Sequence, residues 1–166
     1  MKFKHVTKDY FFSGEHKFCE DNTVTTKSGT FTFHSNTYLS RDGAKDFCEN
    51  KGELLAPITT WDDFYKLRNF TDGCTNLGGS SMYRIGLDVV DDRNRYFTNG
   101  EAFNKSVHEP LYSSIESINT KPTCWDTWFY SYPGIHSLDI EKNIHCLYWS
   151  HPFICLKPAV NTPVCN

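Results

Sequence analysis

A chain of 166 residues fits one domain and is long enough to bury a core without covalent help. Its formal net charge of -3, with no run of Lys or Arg, gives no electrostatic footprint for nucleic acid or an anionic membrane, so neither is expected as a partner. No window is apolar for long enough to span a bilayer and residues 1–17 lack the apolar stretch of a signal peptide, so no membrane insertion by this segment is expected, and any leader or anchor is expected to lie outside it.

Residues 1–22 mix charge with Phe3, Tyr10, Phe11, Phe12 and Phe18 without a sustained period; they read as an N-terminal arm ahead of a domain over 23–166. From 23 to 33 the run TVTTKSGTFTF is β-prone, is broken by Gly29, and puts Phe31 and Phe33 on one face. Residues 40–58 organise the chain. Ser40 can cap a helix, Ala44, Phe47 and Cys48 share a face, and Gly52 suits the left-handed position past the helix end. Leu54-Leu55-Ala56-Pro57-Ile58 then reads as a strand entering the core, and Cys155 is a candidate partner for the buried Cys48.

A second helix is signalled by Thr60 as cap and Asp63 opposing the dipole, with Trp61, Phe64 and Leu67 on one face and Asp72-Gly73 at its end. Residues 82–87 read as a core strand, Asp91-Asp92-Arg93-Asn94 as a turn, Arg95 to Phe97 as a short strand, and Asn99-Gly100 as the strongest local turn signal. Residues 103–123 show little periodicity and many Ser, Asn and Pro residues, the pattern of a long surface loop where binding residues concentrate. Residues 124–132 are nearly all aromatic. Alternation places Trp125 and Phe129 on one side and Trp128, Tyr130 and Tyr132 on the other, and the second set is expected to form an aromatic contact patch. Residues 144–156 alternate as closing strands.

Seven cysteines and two glycosylation sequons, at Asn69 and Asn104, argue for a glycoprotein of the secretory pathway. Six paired cysteines permit 15 connectivities. No CxxC pair exists and the histidines are scattered, so disulfides are favoured over zinc. No nucleophile elbow, phosphate-cradling glycine loop, dinucleotide fingerprint or HExxH helix is present, and no enzyme or catalytic residue is expected. His108 with Glu109, and His136 with Asp139, are acid–base pairs that a chain with seven histidines and 20 acidic residues produces by chance.

Ala44, Cys48, Gly52, Leu54 and Ile58, then Ile85-Gly86-Leu87, Phe97-Thr98-Asn99-Gly100, Cys124, Cys146 and Phe153-Ile154-Cys155 resemble in order and spacing the signatures of a C-type lectin-like domain, from about residue 31 to 156. The tryptophan usual before the helix alanine is absent, with Asp42 near its place, which marks a divergent member. The resemblance implies an α+β fold, with two helices flanking antiparallel sheets, adjacent termini and a long loop region. It implies disulfides Cys48–Cys155 and Cys124–Cys146. Adjacent termini would make Cys19–Cys165 the third bridge, leaving Cys74 for a disulfide-linked dimer, with Cys19–Cys74 as the competing choice.

In sugar-binding members an acidic loop motif and a later Asn-Asp surround one calcium, which needs six to eight oxygens. The corresponding stretches here are Glu109-Pro110-Leu111 and Glu141-Lys142-Asn143. Leu111 offers no side-chain oxygen and Lys142 repels a cation, so no calcium cofactor is expected; the reduced set would be Glu109, Asp139 and Asn143, with Glu116 or Asp126 as substitutes. Asp88, Asp91 and Asp92 are explained by a turn. In the family the proline matching Pro110 often follows a cis bond, a minority outcome from sequence alone. The expected function is extracellular recognition or adhesion, as a secreted protein or receptor ectodomain. It would bind a protein or glycan ligand through Glu109, Trp128, Tyr130, Tyr132 and Asn143. The alternatives are a calcium-dependent lectin with displaced ligands and a structural or dimerisation module of a larger receptor.

Overall fold

A computed structural model describes residues 18–74, 76–77, 81–91, 93–115, 124–132, 135–143 and 149–160. In chain order the elements are β1 (Thr23–Thr25), β2 (Gly29–Leu39), α1 (Arg41–Glu49), β3 (Leu54–Leu55), α2 (Trp61–Asp72), β4 (Ser81–Arg84), β5 (Leu87–Val89), β6 (Arg95–Phe97), α3 (Lys105–His108), β7 (Tyr112–Ile115), β8 (Cys124–Tyr132), β9 (Ile135–Asn143) and β10 (His151–Pro158). The main sheet runs β1-β2-β10-β4-β8-β9-β7, β3 adds to β10, and β5 with β6 forms a separate ribbon. Most pairs are antiparallel, but β10 meets β4 and β7 meets β9 in parallel, so the architecture is α+β with a mixed sheet.

Capping chemistry sets both long helices. The Ser40 hydroxyl accepts from the Gly43 N–H at 3.2 Å. Gly52 has φ +71°, in the left-handed region that lets the chain turn from α1 into β3. Ala44 and Cys48 bury completely against Leu55, Phe153 and Cys155, and Cys48 is bonded to Cys155 across 107 residues. The Thr60 hydroxyl accepts from the Asp63 N–H and donates to the Asp63 carboxylate, which also accepts from Ser28. Helix α2 and the β1–β2 turn are thereby joined. Phe64 and Leu67 are buried, whereas Trp61 is exposed and stacks on Tyr65 at 5.6 Å. Trp61 stays on the expected side, its ring edge-on to Phe64 at 6.0 Å, but in the first turn of α2 it is left exposed.

The main core joins Phe31 and Phe33 of β2, Leu67 of α2, Tyr83 of β4, Phe129 of β8, Leu138 of β9 and Ile154 of β10. Its rings meet edge-on, Phe33 on Tyr83 at 5.1 Å and Phe64 on Phe129 at 6.2 Å, the arrangement ring quadrupoles favour. Gly86 is required by close approach: a Cβ there would lie 2.0 Å from the Leu55 carbonyl oxygen. The Gly86 N–H instead donates to Ala56, and its carbonyl accepts from Thr98.

Two sequence expectations change. Cys19 is bonded to Cys74, not to Cys165, and Cys74 is buried, so it is not free to link a second chain. Asn76 reinforces the junction, accepting from the Cys19 N–H and donating to its carbonyl, so the last residues before β1 are fastened to the end of α2. Cys165 and the Cys124–Cys146 pairing lie outside the described residues, as do residues 1–17. Residues 103–115 are not all surface loop either: α3 and β7 fall within them, and His108, Leu111 and Tyr112 are buried. The Tyr112 hydroxyl donates to the Ile58 carbonyl at 2.7 Å. No cis peptide bond occurs among the described residues, Pro110 included.

His34 stacks on Phe153 at 4.8 Å and meets the edge of Phe47. Burial, helped by the charge of Lys51, lowers its pKa from 6.5 to about 4. The folded state prefers the neutral ring, so this contribution to stability is present above the unfolded pKa and is lost as pH falls from 6.5 toward 4. In thermal melts His34→Phe should flatten the fall in Tm across that window; an unchanged slope would contradict the assignment. In the chain-entropy account, opening the Cys48–Cys155 loop removes about 4 to 5 kcal/mol and opening the shorter Cys19–Cys74 loop about 4. Urea unfolding of the paired Cys→Ala variants should show both losses, the former at least as large.

Candidate functional site

Period-two alternation divides β4, β8 and β9 into two faces. Tyr83, Phe129 and Leu138 are in register and point to the core. Their neighbours Arg84, Trp128 and Asp139 are in register on the outer face, where Met82 adjoins Tyr130, Tyr130 adjoins Ser137, Asp126 adjoins Glu141, and Tyr132 adjoins Ile135.

One end of this outer face is closed. Trp128 is 1% exposed, with the Arg84 guanidinium 4.7 Å from its ring on one contact and the His151 ring 4.7 Å away on another. Its expected place in an exposed patch is corrected: the side is as alternation requires, but a cation and an imidazole cover the ring. Arg84 forms an ion pair with Asp126 and donates to the Trp149 carbonyl at 2.7 Å, so the three groups bind β4, β8 and the chain entering β10. Burial lowers the Arg84 pKa and raises that of Asp126, and each shift is opposed by the other member of the pair. Burial, together with Arg84, lowers the pKa of His151, favouring a neutral ring beside the guanidinium.

The other end is open. Tyr130 and Tyr132 stack with centroids 6.0 Å apart and planes 18° apart, Tyr132 is 43% exposed, and Ile135 beside it is 69% exposed. Asp139 and Glu141 stand opposite Trp128 and Asp126, with Asp139 nearer the open end. Burial pushes both carboxyls up, opposed for Asp139 by Ser137 and reinforced for Glu141 by the charges of Asp126 and Asp139. The pKa of the Tyr130 hydroxyl is raised by desolvation and then by Glu141, Tyr132 and Asp139, so each of these groups lies within electrostatic reach of Tyr130.

Glu109 does not join this face; it is exposed at the C-cap of α3. Asn143 ends β9 opposite Cys124, and its side chain lies outside the described residues. The calcium set does not assemble among the described residues. Leu111 is buried, and among the described residues the one cluster of three or more His, Cys, Asp or Glu ligand atoms is His34, Glu53 and Cys155, whose sulfur belongs to a disulfide. Asp91 is occupied by the Arg93 and Asn94 N–H groups and the Asn94 amide, which lower its pKa. Asp88 pairs with Arg41 and Lys45. The described residues therefore do not fit the family-type calcium site.

The acid–base pairs of the sequence are also separated. His136 turns to the core side, its Nε2 3.3 Å from both Asp72 and the Ser131 hydroxyl, while Asp139 faces outward. The His108 Nδ1 accepts from the Asn104 N–H and its Nε2 lies 3.5 Å from Glu101, not against Glu109. Sequence reasoning missed Arg84. The available signal was a guanidinium inside the apolar strand Met82-Tyr83-Arg84-Ile85-Gly86-Leu87, matched by an acid between tryptophans in Trp125-Asp126-Thr127-Trp128.

Leaving Asp126 buried without its cation should be costly: in urea unfolding Arg84→Met is expected to lose about 3 to 5 kcal/mol. Arg84→Met with Asp126→Leu should regain most of that loss, because the double variant buries no charge; an additive loss would contradict the pairing.

No protein-family model and no curated protein matches the sequence. Solved structures do match. The mouse scavenger receptor C-type lectin carbohydrate-recognition domain is 19% identical, with 87% of this chain and 100% of that one covered and a TM-score of 0.56. The C-type lectin domain of murine dendritic cell inhibitory receptor 2, solved with an N-glycan, is 15% identical over 85% of this chain and 99% of that one, at 0.57. The Kupffer cell C-type lectin receptor Clec4f, a trimeric structure, is 18% identical over 84% of each chain, at 0.59. At such identities the likeness is one of architecture, and the fold of this chain is that of a C-type lectin-like domain.

Proposed function

We propose that the chain is an extracellular recognition domain that takes its ligand on the open end of the outer β8–β9 face and does so without the family-type calcium site. The observation that carries this reading is the stacked, solvent-accessible Tyr130–Tyr132 pair held on a rigid sheet, opposite Ser137 and Ile135 and diagonal to Asp139. Rings at fixed spacing lose little conformational entropy on binding and offer flat faces to a ligand. Two disulfides support an oxidising compartment, and among the described residues no helix is long and apolar enough to cross a membrane. Asn69 and Asn104 are both exposed, and we assign them as glycosylation sites.

Glycans are the ligand class that the murine inhibitory-receptor structure brings into consideration. A glycan array probed with and without a chelator tests this directly. Retained signal in chelator supports the proposal; signal lost in chelator favours a calcium-dependent lectin with ligands from outside the described residues. Tyr130→Ser with Tyr132→Ser should lower binding of any captured ligand at least about tenfold while Tm shifts by only a few degrees, because these rings are peripheral to the core. Unaltered binding would retire the site.

A further inference from the structure

We propose that the β8–β9 face, where its open end meets the closed one, binds an arginine-bearing segment of a partner protein, with a guanidinium over the Tyr130 ring of the stack and its N–H groups toward Asp139 and Glu141. This deepens, and rests on, the reading of that face as the recognition surface.

The chain already holds one guanidinium in the arrangement proposed. Arg84 lies over the Trp128 ring and pairs with Asp126 on the same face. Two residues on along β8 the outward rings continue as Tyr130 and Tyr132, while on β9 Asp139 stands opposite Trp128, diagonal to Tyr130, and Glu141 stands opposite Asp126. Here the cation is not supplied from within: among the described residues no basic side chain pairs with Asp139 or Glu141. Among the described residues the face thus carries three carboxylates, Asp126, Asp139 and Glu141, against one guanidinium, Arg84.

Burial sharpens the mismatch. Asp139 is 7% exposed, and Asp126, 0% exposed, gives one oxygen to Arg84 while its Oδ2 has no hydrogen-bond partner among the described residues. Carboxyls withdrawn from water without a counter-charge favour a ligand that brings one. A neutral sugar ring can stack on Tyr132 but leaves the charge uncompensated. A guanidinium does both, being flat enough to lie on a ring and presenting a fork of donors to a carboxylate, which an ammonium does not. Met82 and the exposed Ile135 at the margins would take the aliphatic stem of the same side chain or its neighbours.

The test is an NMR titration of the intact domain with hexa-arginine, hexa-lysine and hexa-glutamate peptides at low salt. Shifts should be confined to residues 130–141 and the outer-face ends of β4, with hexa-lysine several-fold weaker and hexa-glutamate silent. Asp139→Asn with Glu141→Gln should weaken hexa-arginine about tenfold or more, whereas Asp62→Asn on α2 should leave it unchanged. Tyr132→Ser removes an exposed ring that cannot hold the fold together, and should weaken binding several-fold even if the acid variants prove unstable. Absent binding, shifts spread over all acidic surfaces, or indifference to Tyr132→Ser would overturn the proposal. A glycan whose binding depends on Tyr130 and Tyr132, with no response to hexa-arginine, would overturn it while the recognition face stands; a captured ligand indifferent to both tyrosines would remove the face as well.

Discussion

Strand β10 is the member on which the remainder of the fold depends, because it is hydrogen-bonded to β2, β3 and β4 and covalently joined to α1 through Cys155. Helix α1 could not bury Ala44 and Cys48 without it, and β3 is only two residues long, too short to persist unless β10 pairs with it. The parallel contact of β10 with β4 places Phe153 beside Arg84, which fixes where the guanidinium enters the sheet. The chain running into β10 then supplies the Trp149 carbonyl that accepts from that guanidinium. A disulfide more than a hundred residues long in sequence thereby determines the geometry of a polar site on the opposite half of the sheet.

That polar site divides the outer face. A buried ion pair adds little net stability over an apolar pair of the same volume, since desolvation offsets most of the attraction. Its structural consequence is register: β4 and β8 can be aligned in only one way that brings Arg84 to Asp126 and over Trp128. Fixed register in turn keeps Tyr130 and Tyr132 in step with Ser137 and Ile135, so the open tyrosine stack is held by the closed tryptophan cluster beside it. Rigid support of this kind suits recognition, where a displaced ring loses contact area at once.

Much of this fold could be read from residues whose role is local. The Ser40 and Thr60 caps, the left-handed Gly52, the buried Phe31 and Phe33, and the alternation of β8 all follow from short-range rules. What short-range rules could not supply was contact between distant segments. Trp128 alternates outward as expected, yet Arg84 and His151 arrive from 44 and 23 residues away to cover it. Likewise Cys19 had several partners available, and only the docking of the segment before β1 on the end of α2 decides for Cys74. The stretch around β7 misled because a four-residue parallel strand carries no periodicity of its own; its pairing with β9 creates it.

We assign ligand recognition to the open end of the β8–β9 face and not to a second exposed aromatic pair, Trp61 with Tyr65 on α2. Residue-resolved hydroxyl-radical footprinting of the domain, alone and saturated with an arginine-rich peptide, separates the two. Tyr130 and Tyr132 should become protected on binding while Trp61 and Tyr65 keep their reactivity and Trp128 stays unreactive throughout. Protection of Trp61 and Tyr65 with Tyr132 unchanged would contradict it.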